Sequence, residues 1–134
     1  MIDTKHFNSL GVPRLSDAFP QAVVAGDFIF VSGTVGVDPA TGKIHESFEQ
    51  QAMQAFMNVG AILDELGSSL GRIVKTTVFM VSGNDFSVLN TVYKTVFPEN
   101  APARSTPQVM PFPSGVLISV ECIATVTVTV LKND

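Results

Sequence analysis

The chain has one cysteine, no tryptophan, a single tyrosine, two histidines and only eight basic residues in 134. One cysteine, Cys122, excludes an internal disulfide, and its place among apolar residues reads as a buried core thiol. His6 and His45 stand far apart, show no partner in sequence, and give no Cys/His ligand spacing, so no structural metal is expected. The basic residues are scattered singly against twelve acidic ones, for a net charge of −4, which omits the electrostatic footprint of a nucleic-acid surface. No apolar run approaches the roughly 18 residues that cross a bilayer. Met1 to Leu10 are too polar and interrupted for a signal peptide. The expectation is a soluble, cytoplasmic protein without nucleic acid or membrane among its partners.

What is present is apolar. Hydrophobic residues make up 46% of the chain and charged residues 15%, and the mean hydropathy is positive. That balance is high for a soluble monomer of this size, so part of the apolar surface is expected to meet another subunit. The length suits one domain spanning residues 1–134.

Periodicity then divides the chain. Lys5 to Asn8 fit a short first strand. Phe19 to Val24 turn apolar, and Ala25-Gly26-Asp27 lead into Phe28 to Ser32, the pattern of a β-hairpin. Gly33 ends or bulges that strand, serving either a bend or the close approach of a ligand. Ser47 to Leu66 is the clearest helix, with Phe48, Ala52, Ala55, Phe56, Val59, Ile62, Leu63 and Leu66 on one stripe and Gln54 and Asn58 largely off it. Ser47 with Gln50 fits a capping box, and Gly67 fits the position after the last turn. Ile73 to Val81 is β-branched and reads as a strand. Asp85 caps a second helix with Phe86, Leu89, Val92, Tyr93, Val96 and Phe97 on its stripe, Asn90 off it, and Pro98 as its stop. A long last strand is expected from Val116 to Leu131, with Ile118, Val120, Cys122, Ala124, Val126, Val128 and Val130 facing the helices. Its other face, holding Ser119, Glu121, Ile123, Thr125, Thr127 and Thr129, is neither clean core nor clean solvent surface, and a second subunit is expected to cover it. This order gives an α+β sandwich of one mixed β-sheet packed on one face by two α-helices.

The stretch Ala101 to Glu121 carries the chemistry. Arg104 sits in A-P-A-R-S-T-P, expected as a loop closed by two prolines. Its planar guanidinium suits a carboxylate bidentately, although a structural ion pair is the other reading. Ser119 and Glu121, two apart on a strand, share a face. An anchor for a carboxylate near groups that orient water is the minimum equipment for hydrolysing a small acid.

Five stretches in order, F-P-Q-A-V-V-A-G-D-F-I-F-V-S-G at 19–33, D-P-A-T-G-K-I at 38–44, V-K-T-T-V-F at 74–79, N-D-F at 84–86 and P-A-R-S at 102–105, resemble the reactive intermediate deaminase family, also called YjgF-like or Rid. The resemblance implies a chorismate-mutase-like fold, a homotrimer and active sites at subunit interfaces. It also implies hydrolysis of reactive enamine and imine forms of 2-amino acids to 2-oxo acids and ammonia, without metal or organic cofactor. By the same resemblance Arg104 binds the substrate carboxylate, Ser32 and Gly33 line the pocket, and Ser105 follows the arginine. Thr106 matches a pocket position that is often cysteine, and Asn90 matches a helix asparagine near the site.

Two positions depart from the pattern. Archetypal members carry a glutamate where this chain has Ser119, leaving Glu121, which matches the family's second glutamate, as the nearest acid for proton transfer or as an interface acceptor. Phe19 replaces a tyrosine, so the pocket is expected to be more apolar. The leading expectation is a deaminase of 2-imino acids from a divergent subgroup. The alternatives are a trimeric module that binds small carboxylates without turnover, or a deaminase or hydrolase of a ring-derived catabolic acid. The family has also been linked to ribonuclease activity, which the acidic balance argues against. Chorismate mutase chemistry calls for several converging cations, and the chain has only Arg14, Arg72 and Arg104 among its arginines.

Overall fold

The computed structural model describes residues 2–126. In chain order these form β1 (Thr4–Phe7), β2 (Ala22–Ala25), β3 (Phe28–Thr34), α1 (Phe48–Glu65), β4 (Ile73–Val81), α2 (Phe86–Val96), β5 (Ala103–Ser105), β6 (Gln108–Val109) and β7 (Ile118–Thr125). The strands make one seven-stranded sheet in the order β1-β2-β3-β7-β4-β5, with β6 also on β4. Pairing is antiparallel from β1 to β4 and parallel between β4 and its neighbours β5 and β6. The sheet is therefore mixed, as the element order implies.

Each helix forms where its apolar stripe meets the sheet. Ser47 caps α1 by accepting from the Gln50 amide, and Asp85 caps α2 by accepting from the Ser87 amide. The core joins Ala52, Phe56, Val59, Ile62 and Leu63 of α1 and Leu89 and Val92 of α2 to Ile29, Val31, Val78, Met80, Ile118, Val120 and Ala124 of the sheet. Phe56, Tyr93 and Phe97 meet as an aromatic cluster with centroids 4.8–5.8 Å apart. Cys122 lies in this core, where burial, with a smaller contribution from the Glu121 charge, pushes its thiol up to about 12.

Four expectations need correction. The last strand begins at Ile118, because the Leu117 amide is taken by the Gln51 side chain at 2.8 Å instead of by a neighbouring strand; residues 127–131 of the expected strand lie outside those described. Arg104 lies in a strand, since β5 adds alongside β4. Asn58 is buried, because its amide donates to the carbonyls of Val35 and Val37 and so pins the loop after β3. His45 has partners, Gln54 Oε1 at 3.3 Å and Asp38 Oδ2 at 4.0 Å. No described helix is long and apolar enough to cross a membrane.

The sheet face turned away from the helices is uncovered in the single protomer. On it Phe28 and Phe30 of β3, each close to half exposed, stand opposite Thr125 and Ile123 of β7, and Glu121 stands opposite Thr77 of β4.

Candidate functional site

Arg104 is placed by its strand. It pairs with Thr76 in parallel register, and Thr76 is fully buried toward the helices, so the guanidinium lies on the helix side. There its Nε donates to Thr106 Oγ1 at 2.8 Å and its Nη2 to Asn90 Oδ1 at 2.9 Å. Its plane stands 4.8 Å from the centroid of the Tyr93 ring. Asn90 and Tyr93 are three apart on α2 and so project side by side. The Tyr93 hydroxyl shares a 2.8 Å hydrogen bond with Thr76 Oγ1, and burial raises its pKa above the ordinary phenol value, so the phenol stays neutral. The guanidinium is held by two hydrogen bonds and a ring face, and among the described residues none of its partners is an anion. Ser105 alternates to the opposite side of β5, beside Thr77.

A second feature lies at the other end of β7. Phe19, Gly33 and Ser119 line a cavity of about 520 Å³, with Leu15, Val35, Ile44, Phe112 and Val116 among its walls. Gly33 sits within the irregular register between Val31 and Thr34, which brings its backbone against the Ser119 hydroxyl. Ser32 faces away from the core, and its hydroxyl donates to the Pro20 carbonyl at 2.8 Å, fastening the segment that carries Phe19 to β3. Glu121 belongs to neither feature. It lines a shallow depression with Ser32, Phe30 and Ile123 on the uncovered face.

Apart from Glu121 and Ser105, the residues singled out from sequence thus fall into two groups within one protomer. Arg104, Asn90 and Thr106 form one cluster; Phe19, Gly33 and Ser119 form another around the cavity, with Ser32 at its side. Arg104 is absent from the cavity lining, and its hydrogen bonds go to neither Ser119 nor Glu121. Among the described residues no cluster of three or more His, Cys, Asp or Glu is arranged to hold a metal ion.

Two glutamines that the sequence reading passed over build the cavity walls. Gln21 donates to the carbonyls of Val12 and Pro13 and accepts from the Ser9 amide, clamping the segment that leads to Leu15. Gln51, buried on α1, donates to the carbonyls of His45 and Gly115 and accepts from the Leu117 amide, fixing the wall at Val116. The one available signal was polarity within an apolar setting: Gln21 opens the Gln21 to Val24 stretch, and Gln51 adjoins Ala52 on the helix stripe.

A mixed sheet under two helices, with an arginine cluster at its edge and a cavity at the start of its central strand, defines the α+β class of YjgF-like proteins. The chain matches the model of the Endoribonuclease L-PSP family over residues 12–126. It is 41% identical over 113 residues to a RutC family protein of Pyrococcus abyssi, covering 84% of this chain and 89% of that one. It is also 41% identical to the 2-iminobutanoate/2-iminopropanoate deaminase of Rattus norvegicus, covering 84% and 82%. Among solved structures, RidA from the Antarctic bacterium Psychrobacter sp. PAMC 21119 superposes with a TM-score of 0.86 at 34% identity, covering 91% of this chain and 99% of that one. E. coli TdcF with bound serine gives 0.85 at 36%, covering 92% and 99%. The chain belongs to the Endoribonuclease L-PSP family, the YjgF-like or Rid family.

Proposed function

We propose that the protein is an imine and enamine deaminase, hydrolysing 2-imino acids to 2-oxo acids and ammonia. The observation that carries this reading is the Arg104 guanidinium, fixed by Asn90, Thr106 and the Tyr93 ring without an acidic partner among the described residues. Its Nε and one Nη2 donor are occupied, and the Nη edge offers a bidentate seat for a carboxylate. The relatives named for 2-iminobutanoate and 2-iminopropanoate support the same chemistry.

The reaction asks little of the protein. In a protonated imine the C2 carbon is already electrophilic, so a water adds there, forming a C–O bond while the C=N π electrons move to nitrogen. One proton of the added water is transferred to the amino nitrogen, the C–N bond then breaks and releases ammonia, and the C=O bond forms as the remaining hydroxyl proton is lost. Arg104 holds the carboxylate, and Ser119 at the cavity floor orients the water; Glu121, two residues on along the same face of β7, serves as a proton acceptor. With a serine where archetypal relatives have glutamate, the chain represents a divergent variant of the family.

The anchor and the cavity occupy different parts of one protomer, so the complete site forms between protomers. The uncovered sheet face with Phe28, Phe30 and Ile123 is the surface that joins them, and a homotrimer would give three such sites. Sedimentation at micromolar concentration tests this; a monomer would overturn it.

A coupled assay tests the activity: an amino-acid oxidase generates imines in situ, and 2-oxo acid formation is followed with and without the protein. Arg104→Ala lowers kcat/KM by roughly tenfold to a hundredfold if the arginine holds the carboxylate, while unfolding of the variant would assign it a structural role. The second reading, a module that binds small carboxylates without turnover, is favoured by the missing acid at Ser119. Arginine-dependent binding of 2-oxo acids without imine clearance would establish it.

A further inference from the structure

The cavity at Gly33 and Ser119 has a character that the reaction itself does not require. Its walls are Leu15, Phe19, Ile44, Phe112 and Val116, and its lining includes no ionisable side chain; Ser114 and Ser119 supply the only side-chain hydroxyls. At about 520 Å³ it is far larger than a methyl or ethyl group needs, and in the single protomer it stays open to solvent on one side. Leu15 and Phe19 at the rim are 51% and 40% exposed, apolar surface that an entering side chain would remove from water.

The floor is open because both residues there are small. A longer side chain at position 119 would project into the space, and a carboxylate there would bring charge into it. The walls are also fixed before any ligand arrives. Gln21 ties down the Leu15 side, the Arg14 guanidinium donates to the Phe19 carbonyl at 3.1 Å, and Gln51 holds the Val116 side. A preformed apolar space loses little ordering entropy when it is filled.

We propose that this cavity receives the side chain of the substrate and selects 2-imino acids with bulky apolar side chains, branched aliphatic or aromatic, over short and acidic ones. For turnover the inference rests on the deaminase reading; for binding it rests on the cavity alone. Each buried methylene favours binding about fourfold, so an isobutyl side chain gains about tenfold or more over an ethyl one. An acidic side chain loses hydration and meets no cation in the lining.

Two measurements test this. Calorimetric titration compares 4-methyl-2-oxopentanoate and phenylpyruvate with 2-oxobutanoate and 2-oxoglutarate, all stable product-like acids. The coupled assay compares kcat/KM for imines generated from leucine, phenylalanine, 2-aminobutanoate and glutamate. The expected result is a preference of about tenfold or more for the bulky members in both series, with the acidic member last. Val116→Trp, which fills the cavity from its wall, lowers the ratio of bulky to short; if that variant does not fold, the series on the unaltered protein decides. Equal or reversed preference with imine turnover intact overturns the inference while sparing the deaminase reading. Selective binding of bulky 2-oxo acids with no imine clearance supports the inference and removes the deaminase reading.

Discussion

Gly33 and Ser119 lie so close across the β3–β7 pairing that a Cβ at position 33 would stand 2.8 Å from the serine hydroxyl oxygen. The obstacle is the end of a short side chain that can change rotamer. Gly33→Ala is therefore expected to lower stability by less than about 1 kcal/mol, while displacing the hydroxyl and reducing imine turnover. Gly36 offers the contrast: a Cβ there would come within 2.6 Å of the Gln51 Cα and against its carbonyl. Backbone inside a helix cannot swing aside, so Gly36→Ala is expected to cost about 2–3 kcal/mol. Urea unfolding of both variants, with the coupled assay on the first, checks the pair.

Tyr93 joins the core to the arginine. Tyr93→Phe keeps the ring under the guanidinium but strips the partner from the buried Thr76 hydroxyl. Stability should fall by about 1–2 kcal/mol, with kcat/KM changed far less than by Asn90→Ala. A large loss of turnover in the phenylalanine variant would mean that the hydroxyl itself serves the substrate.

Gln51 carries three hydrogen bonds that no other described side chain replaces, to His45, Gly115 and Leu117. Gln51→Ala leaves two carbonyls and an amide without it, an expected loss of about 3 kcal/mol or more. A drop much below 1 kcal/mol would show that water takes over these groups.

Cys122 supplies a pH signature. Its thiol ionises near 8.5 in an unfolded chain and only at about 12 in the fold, chiefly because burial disfavours the thiolate. The folded state thus holds the proton more tightly, and stability is lost as pH rises through that interval. The decline should be shallower in Cys122→Ala, as read from urea midpoints across alkaline pH. The folded thiol should also resist disulfide reagents at neutral pH and react on unfolding.

The elements were legible because local signals agreed: the capped stripe of α1 with Ser47, the β-branched run Ile73–Val81, and the Ala25-Gly26-Asp27-Phe28 hairpin all form as their patterns dictate. The short strand at Ala103–Ser105 was not legible, since flanking prolines mask a segment that acquires strand geometry only from its neighbour β4. Asn58 was misread for a related reason. A polar residue beside an apolar stripe looks solvent-facing until a distant loop presents carbonyls to it. The site residues could be located individually, but strand alternation alone did not show that Arg104 and Ser119 project to opposite sides of the sheet.

The position of β7 bears on how the molecule comes to exist during synthesis. Although it is the last strand described, it lies between β3 and β4, which have no pairing with each other. Until residues 118–125 emerge from the ribosome, the nascent chain holds two sheet fragments, each with a bare edge where β7 belongs. The Ser119 floor arrives with the same segment. Residues 118–125 must therefore be made before this protein can close its core, and truncation ahead of them would release a chain with two adhesive edges instead of a smaller folded version of itself.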